Sequence, residues 1–178
     1  DNTAISINGG ATIATINAGD YYLIEGDNYS ANGNLYVETS QDVFAYQGVG
    51  GLNNNGIPGE ANQGMFFVPP LSCEARGNID NIANIDEIGA TNYSGGLSIV
   101  TKTGAAITVN NLPISSFSTQ GPFAVTGNPN YETYKVTGLA GNISVQCDDE
   151  LYCAYFNYNG AATSGSYYSG FPSIPEIN

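Results

Sequence analysis

Apolar and polar positions alternate along most of this chain. Ala4-Ile5-Ser6-Ile7-Asn8, Tyr21-Tyr22-Leu23-Ile24-Glu25, Leu35-Tyr36-Val37-Glu38 and Val43-Phe44-Ala45-Tyr46 read as strands or short buried runs. So do Leu97–Thr101, Ala106–Val109, Tyr134–Val136, Ile143–Val145 and Leu151–Tyr155. Turn signals separate them: Asn8-Gly9-Gly10, Ala18-Gly19-Asp20, Asn32-Gly33-Asn34, Lys102-Thr103-Gly104 and the stretch Gly138–Asn142. Short strands with turns about 8 to 12 residues apart predict an all-β protein, a β-sandwich or barrel. The 23 glycines suit its tight turns.

One segment breaks the alternation. In Asn78–Gly89 the residues Ile79, Ile82, Ile85 and Ile88 recur every third position. On an α-helix such a stripe drifts by about 60° per step, so the fit to a 3.6 period is poor. A 3₁₀ or irregular turn, or a short helix capped by Gly89, is predicted instead. Its simplest role is a packed connector over a sheet edge; a site built from Asp80, Asp86 and Glu87 is the sharper alternative.

The chain also repeats. Ile5–Gly9 (ISING) matches Ile107–Asn111 (ITVNN) at an offset of 102. The stretch Asn34–Gly48 matches Asn142–Phe156 at an offset of 108. The order of elements is shared too: hairpin strand, glycine-rich turn, tyrosine-containing strand, Asn-Leu or Asn-Ile strand, acidic turn, aromatic strand. The fold class expected is therefore a β-sandwich built from two related, duplicated antiparallel units. The boundaries expected are 1–94 for the first unit with its connector, 95–171 for the second, and 172–178 for a linker or tail. In the second unit Leu97–Lys102 precedes the ITVNN strand, whereas nothing precedes ISING. The first unit thus lacks its opening strand, either cut away or supplied by a neighbouring chain. An open edge of that kind can accept a strand.

Composition narrows the function. Apolar residues make up 42% of the 178, enough for a core, while charged residues are only 11%, well below the usual quarter. Sixteen acids against three bases (Arg76, Lys102, Lys135) leave a net charge of −13. Phosphate neutralisation needs Lys and Arg, so nucleic acid is a poor partner, and anionic lipid would repel the chain. The longest apolar run, Met65–Leu71, is far short of the roughly 20 residues of a membrane-spanning helix. No signal peptide opens the chain, which suggests a processed or excised piece. Low Lys, no His and no Trp, with abundant Asn, Gly and Tyr, point to a bacterial extracellular protein.

Three motifs together, Ala61–Cys73 (ANQGMFFVPPLSC), the Asn78–Gly89 connector and the ending from Gly160-Ala161-Ala162 to Phe171, resemble a known family. It is the IgG-Fc-binding-protein-like domain near the N-terminus of large surface proteins of the Bacteroidetes, many with gliding-motility or secretion-sorting domains further on. The resemblance spans about Tyr21 to Phe171. It implies a secreted, cell-surface, all-β module of an adhesin-like protein; immunoglobulin binding is not implied for bacterial members. The tail Pro172–Asn178 then resembles a linker into a further domain. Cys147 and Cys153 depart from the family pattern.

Catalysis finds little support. Without His, the commonest general base is missing, and Ser–His–Asp or Cys–His sites cannot form. A paired-carboxylate glycosidase is formally open, but no acid sits in a recognisable motif. We expect no enzyme and no cofactor. The three cysteines suit an oxidising compartment and leave one unpaired. Cys147 and Cys153 flank a five-residue turn and could staple a hairpin; the alternative joins Cys73 to one of them. C-x5-C is not a zinc spacing. Asp148, Asp149 and Glu150 are a candidate Ca²⁺ site, or a solvated hairpin tip that opposes edge aggregation. Gly26–Asn34 resembles a Ca²⁺ loop in composition only. Asn28, Asn92 and Asn142 lie in N-x-S sequons, incidental in a bacterium.

Tyrosines cluster late. Tyr155, Tyr158, Tyr167 and Tyr168, with Tyr152, Phe156 and Phe171 nearby, could stack on sugar rings, or alternate between core and surface. The expected function is a non-catalytic adhesion or structural module of a large secreted surface protein or filament. Its partners would be neighbouring domains or copies, joined by strand addition at the first-unit edge, and a surface glycan is a further candidate. The rival is a carbohydrate-binding module attached to a polysaccharide-degrading enzyme.

Overall fold

The computed structural model describes residues 1–49, 64–71, 79–160 and 162–169. In chain order the strands are β1 (Thr3–Ile7), β2 (Thr12–Ile16), β3 (Val37–Thr39), β4 (Ala45–Val49), β5 (Gly64–Val68), β6 (Ile79–Ile82), β7 (Glu87–Ile88) and β8 (Thr91–Asn92). They continue with β9 (Ser94–Lys102), β10 (Ile107–Val109), β11 (Leu112–Pro113), β12 (Ser118–Ala124), β13 (Tyr131–Leu139), β14 (Ile143–Cys147), β15 (Leu151–Asn159) and β16 (Ala162–Ser169). Short 3₁₀ turns cover Gly26–Asn28 and Ile114–Ser116. The all-β expectation holds, and every strand pair described is antiparallel. Among the described residues no helix is long and apolar enough to cross a membrane.

Two sheets face one another and enclose the main core. One has the order β11-β10-β14-β6, the other β12-β13-β9-β15-β16. The first contributes Ile82, Ile107, Val109, Ile143, Val145 and Cys147; the second contributes Leu97, Ile99, Tyr134, Val136, Leu139, Leu151 and Cys153. Alternation explains the choice, since in β14 the residues Ile143, Val145 and Cys147 are buried and Ser144 and Gln146 less so. Each buried aliphatic side chain stabilises the fold by roughly 1.5–3 kcal/mol before the entropy of ordering the chain is counted.

The first half builds a smaller sheet, β2-β1-β3, and a hairpin, β4-β5. The register of this small sheet recurs later. Ile5 pairs with Thr39, Ser6 with Glu38 and Ile7 with Val37. Ile107 pairs with Cys147, Thr108 with Gln146 and Val109 with Val145. A second cluster, Val125, Tyr131 and Tyr152 with Tyr36 packed against it, joins the halves.

Two expectations are corrected. The segment from Ile79 begins as strand β6, not as a turn or helix. It pairs with β14 and buries Asp80 and Ile82, while Ile85 is buried beyond it and Ile88 is exposed. The inward positions of β6 are Asp80 and Ile82, and a carboxylate at a core position hid the period of two. Conversely, Tyr21–Glu25 is in no described ladder, although its alternation suits a strand. Tyr21 and Leu23 are largely exposed. A strand needs a neighbour for its backbone groups, and among the described residues none lies beside this one. β6 and β14, which pair, lie on either side of residue 94.

Candidate functional site

The acidic turn Asp148–Glu150 joins β14 to β15, and its three carboxylates have separate tasks. Asp148 Oδ1 accepts the N–H of Ala106 at 2.7 Å, tying the turn to the start of β10. Asp149 Oδ1 accepts the N–H of Glu150 at 2.7 Å. Glu150 is buried; its Oε2 accepts the hydroxyl of Tyr131 at 2.7 Å, and its Oε1 stands 3.5 Å from Lys102 Nζ. Lys102 Nζ donates to the Tyr131 oxygen at 2.7 Å and lies 4.0 Å from that ring's centroid. The hydrogen bond to Tyr131 and the nearby Glu150 charge hold the lysine pKa above its ordinary value, and burial raises that of the Tyr131 phenol. This is a network that ties β9, β13 and β15 together. Among the described residues no three His, Cys, Asp or Glu side chains are grouped to hold a metal ion. The loop Gly26–Asn34 is likewise bound to protein: buried Asn34 donates to Ala124 O at 3.2 Å and to Thr133 Oγ1 at 3.3 Å, docking the two halves.

Cys147 and Cys153 are buried free thiols. The hairpin staple expected from their spacing does not match the topology. β14 and β15 are consecutive but belong to opposite sheets, so the acidic turn crosses the sandwich instead of closing a hairpin. Cys147 Sγ lies 3.2 Å from Thr101 Oγ1, and Cys153 is opposite Ile99 on β9. Cys73 lies outside the described residues. Near Cys153 is Asp80, fully buried, with no hydrogen-bond partner for either oxygen among the described residues. Burial pushes its carboxyl up to about 7. Burial, reinforced by the Asp80 charge, also raises the Cys153 thiol. Asp86, from the same connector, caps Gly141 N–H at 2.7 Å instead of joining Asp80.

Of the late tyrosines, the structure leaves Tyr158 accessible at 44% exposure. It lines a shallow cleft of about 380 Å³ with Asn92, Tyr93, Ser94, Asn159 and Gly160. Asn159 Nδ2 donates to Asn92 O at 2.9 Å and closes one end. Tyr155 packs against the main core and Tyr152 against the second cluster, so neither presents an open ring. The side chains of Tyr167 and Tyr168 lie outside the description; their backbones pair with Ala154 and Cys153.

A second exposed surface was not legible as a site. On the β4-β5 hairpin, Tyr46 is opposite Phe67 and Gly48 is opposite Met65. Directly opposed residues share a face. Tyr46 is 61% exposed, Met65 78% and Phe44 83%. The Phe67 ring lies 6.3 Å from that of Phe44, tilted, and 6.0 Å from that of Tyr46, edge-on. Exposed aromatic side chains grouped in this way mark interaction surfaces. In sequence Phe44 and Tyr46 read as part of a strand or short buried run, and Met65 and Phe67 only as part of the longest apolar run.

Neither a search of curated proteins nor one of solved structures finds a match for this chain. A comparison with protein families matches residues 1–157 to the family described as IgGFc binding protein. The match begins and ends earlier than the expected span of 21–171. Strands β1 to β14, most of β15 and the exposed β4-β5 hairpin fall within it, while β16 and the cleft residues Tyr158, Asn159 and Gly160 lie beyond it. The chain belongs to the IgGFc binding protein family.

Proposed function

We propose that this chain is a non-catalytic extracellular adhesion or structural module of a large secreted surface protein, organised as two related β units. The observation that carries the reading is the exposed ribbon Phe44, Tyr46, Met65 and Phe67 on a chain whose family is named for binding a protein. Apolar rings held in water cost free energy that a partner's surface recovers. The matching registers around Ile5 and Ile107 support two related units.

A carbohydrate-binding reading is favoured by one feature, the cleft in which Tyr158 and Tyr93 stand among Asn92, Ser94 and Asn159. Rings with amide and hydroxyl neighbours suit a sugar's apolar face and its hydroxyls.

Displaying the chain on a non-adherent cell tests both. Cells should be retained on surfaces coated with extracellular protein, immunoglobulin Fc among them. A Phe44→Ser/Phe67→Ser variant should cut retention at least about tenfold. Retention on polysaccharide alone, lost with Tyr158→Ala, would transfer the function to the cleft. No retention on either surface would overturn both readings.

A further inference from the structure

The two halves share more than register. Each hairpin turn holds two left-handed residues, Asn8 with Gly9 and Asn110 with Asn111. Asn8 N–H donates to Tyr36 O at 2.8 Å, and Asn8 Oδ1 accepts from Tyr36 N–H at 3.1 Å. Asn110 makes the same pair with Ser144, at 2.8 and 2.7 Å. Ala4 N–H donates to Ser40 Oγ at 2.9 Å, and Ser40 N–H returns a bond to Ala4 O at 3.0 Å. Ala106 and Asp148 repeat that exchange at 2.7 and 3.2 Å. Each pair is related to its counterpart by the offsets 102 and 108 that the sequence repeat has.

The likeness stops at two edges. β14 is flanked by β10 and β6, but β3 has β1 on one side and, among the described residues, no strand on the other. β9 lies between β13 and β15. In the first half the corresponding places in the order belong to Tyr21–Glu25 and β4. Tyr21–Glu25 joins no described ladder, and β4 pairs only with β5 among the described residues. Exposure follows the missing neighbours. Val37 is 40% exposed where Val145 is fully buried, and Val43 is 40% exposed where Leu151 is at 1%. β6 and β9 lie on one continuous stretch, Ile79–Lys102, so both open edges correspond to a single segment.

We propose that the first half accepts an extended polypeptide segment with the pattern of Ile79–Lys102. One strand of it would pair with β3, and the other would enter between Tyr21–Glu25 and β4. The second half shows the chemistry required. The edge N–H and C=O groups take a backbone ladder, and alternate apolar side chains, as at Leu97 and Ile99, fill the inner face. Small residues at the start of the inserted strand are needed as well. A methyl on Gly95 would lie 2.9 Å from Leu139 O, and one on Gly96 2.8 Å from Val136 O. The proposal deepens the adhesion reading by naming a partner's chemistry, and it is tested by backbone protection, not by retention on a surface.

The experiment mixes the full chain with a synthetic peptide of Ile79–Lys102 and follows amide hydrogen exchange. Exchange at Val37–Thr39, Tyr21–Glu25 and Ala45–Val49 should slow at least about tenfold. A peptide with Leu97→Ser and Ile99→Ser should bind at least about tenfold more weakly. If a folded chain shows no slowing at saturating peptide, or slowing only in β10–β16, the proposal is overturned. A chain that dimerises alone with the same amides already protected assigns the edges to a second copy and overturns the peptide occupant.

Discussion

Gly9 and Gly127 meet backbone to backbone: a methyl on Gly9 would lie 2.8 Å from Gly127 Cα. Both have positive φ, +72° and +86°. The turn after β1 thereby seats on the turn between β12 and β13, and the two halves approach as closely as backbones allow. Gly127→Ala should destabilise the chain by about 2–4 kcal/mol, through steric conflict with Asn8 and Gly9 added to the left-handed strain. Gly19, at φ +89° with nothing within 4 Å of a methyl, separates the two causes. Gly19→Ala should cost only about 1 kcal/mol. Urea midpoints of the two variants read the difference; equal losses would remove the contact from the account.

The buried Asp80 makes stability depend on pH. Its carboxyl titrates near 3.8 when unfolded and at about 7 when folded. The folded state therefore holds the proton more tightly. Its stabilising effect is complete below about pH 4 and is lost as pH rises through 7. The whole effect is at most about 4 kcal/mol, since buried sites relax around a charge. The thermal midpoint should fall between about pH 4 and 7 and level off above that, and Asp80→Asn should flatten that slope and raise stability above pH 7. A slope unchanged in the variant would assign the titration elsewhere.

Asn110 contributes through both ends of its amide. Its Oδ1 accepts from Ser144, and its Nδ2 donates to Asn142 O at 3.2 Å, with φ at +49°. Asn110→Ala should cost about 2–3 kcal/mol in chemical denaturation. Asn110→Asp, which keeps the acceptor, should cost less. Asn111→Gly, at φ +63°, should be neutral or stabilising by up to about 1 kcal/mol.

The two described thiols should be silent in the folded protein. Burial and the Asp80 charge keep Cys153 protonated, and Cys147 is enclosed beside Thr101. In a Cys73→Ser background, a thiol reagent should react with neither until denaturant is added, and reductant should leave the unfolding midpoint unchanged. A midpoint that falls on reduction would show a cross-link instead of free thiols.

Tyr131→Phe removes one hydroxyl that both accepts from Lys102 and donates to Glu150. A loss of about 1–3 kcal/mol is expected, with little change in the ring's packing against Val125 and Tyr152. A neutral result would show that solvent or other neighbours replace the hydroxyl.

Alternation by itself determined the all-β character and most of the sandwich strands, and the sequence likeness marked the stretches around Ile5 and Ile107 whose pairing registers the structure shows to match. Period two is a local property of the backbone, so it survives without knowledge of neighbours. It misled where a core position holds a polar residue, as at Asp80, because the pattern then points to Ile79. It misled again at Tyr21–Glu25, where a strand-like sequence has, among the described residues, no neighbouring strand to complete its hydrogen bonds. The tertiary structure alone decided which sheet each strand joins. Cys147 and Cys153 look like two sides of a hairpin because they are close in sequence, yet a five-residue turn can as readily cross between sheets. Exposure was decided there too: Phe44 and Tyr152 occupy matching places in the repeat, but one stands in water and the other is covered, since burial belongs to what packs against a residue and not to the residue itself.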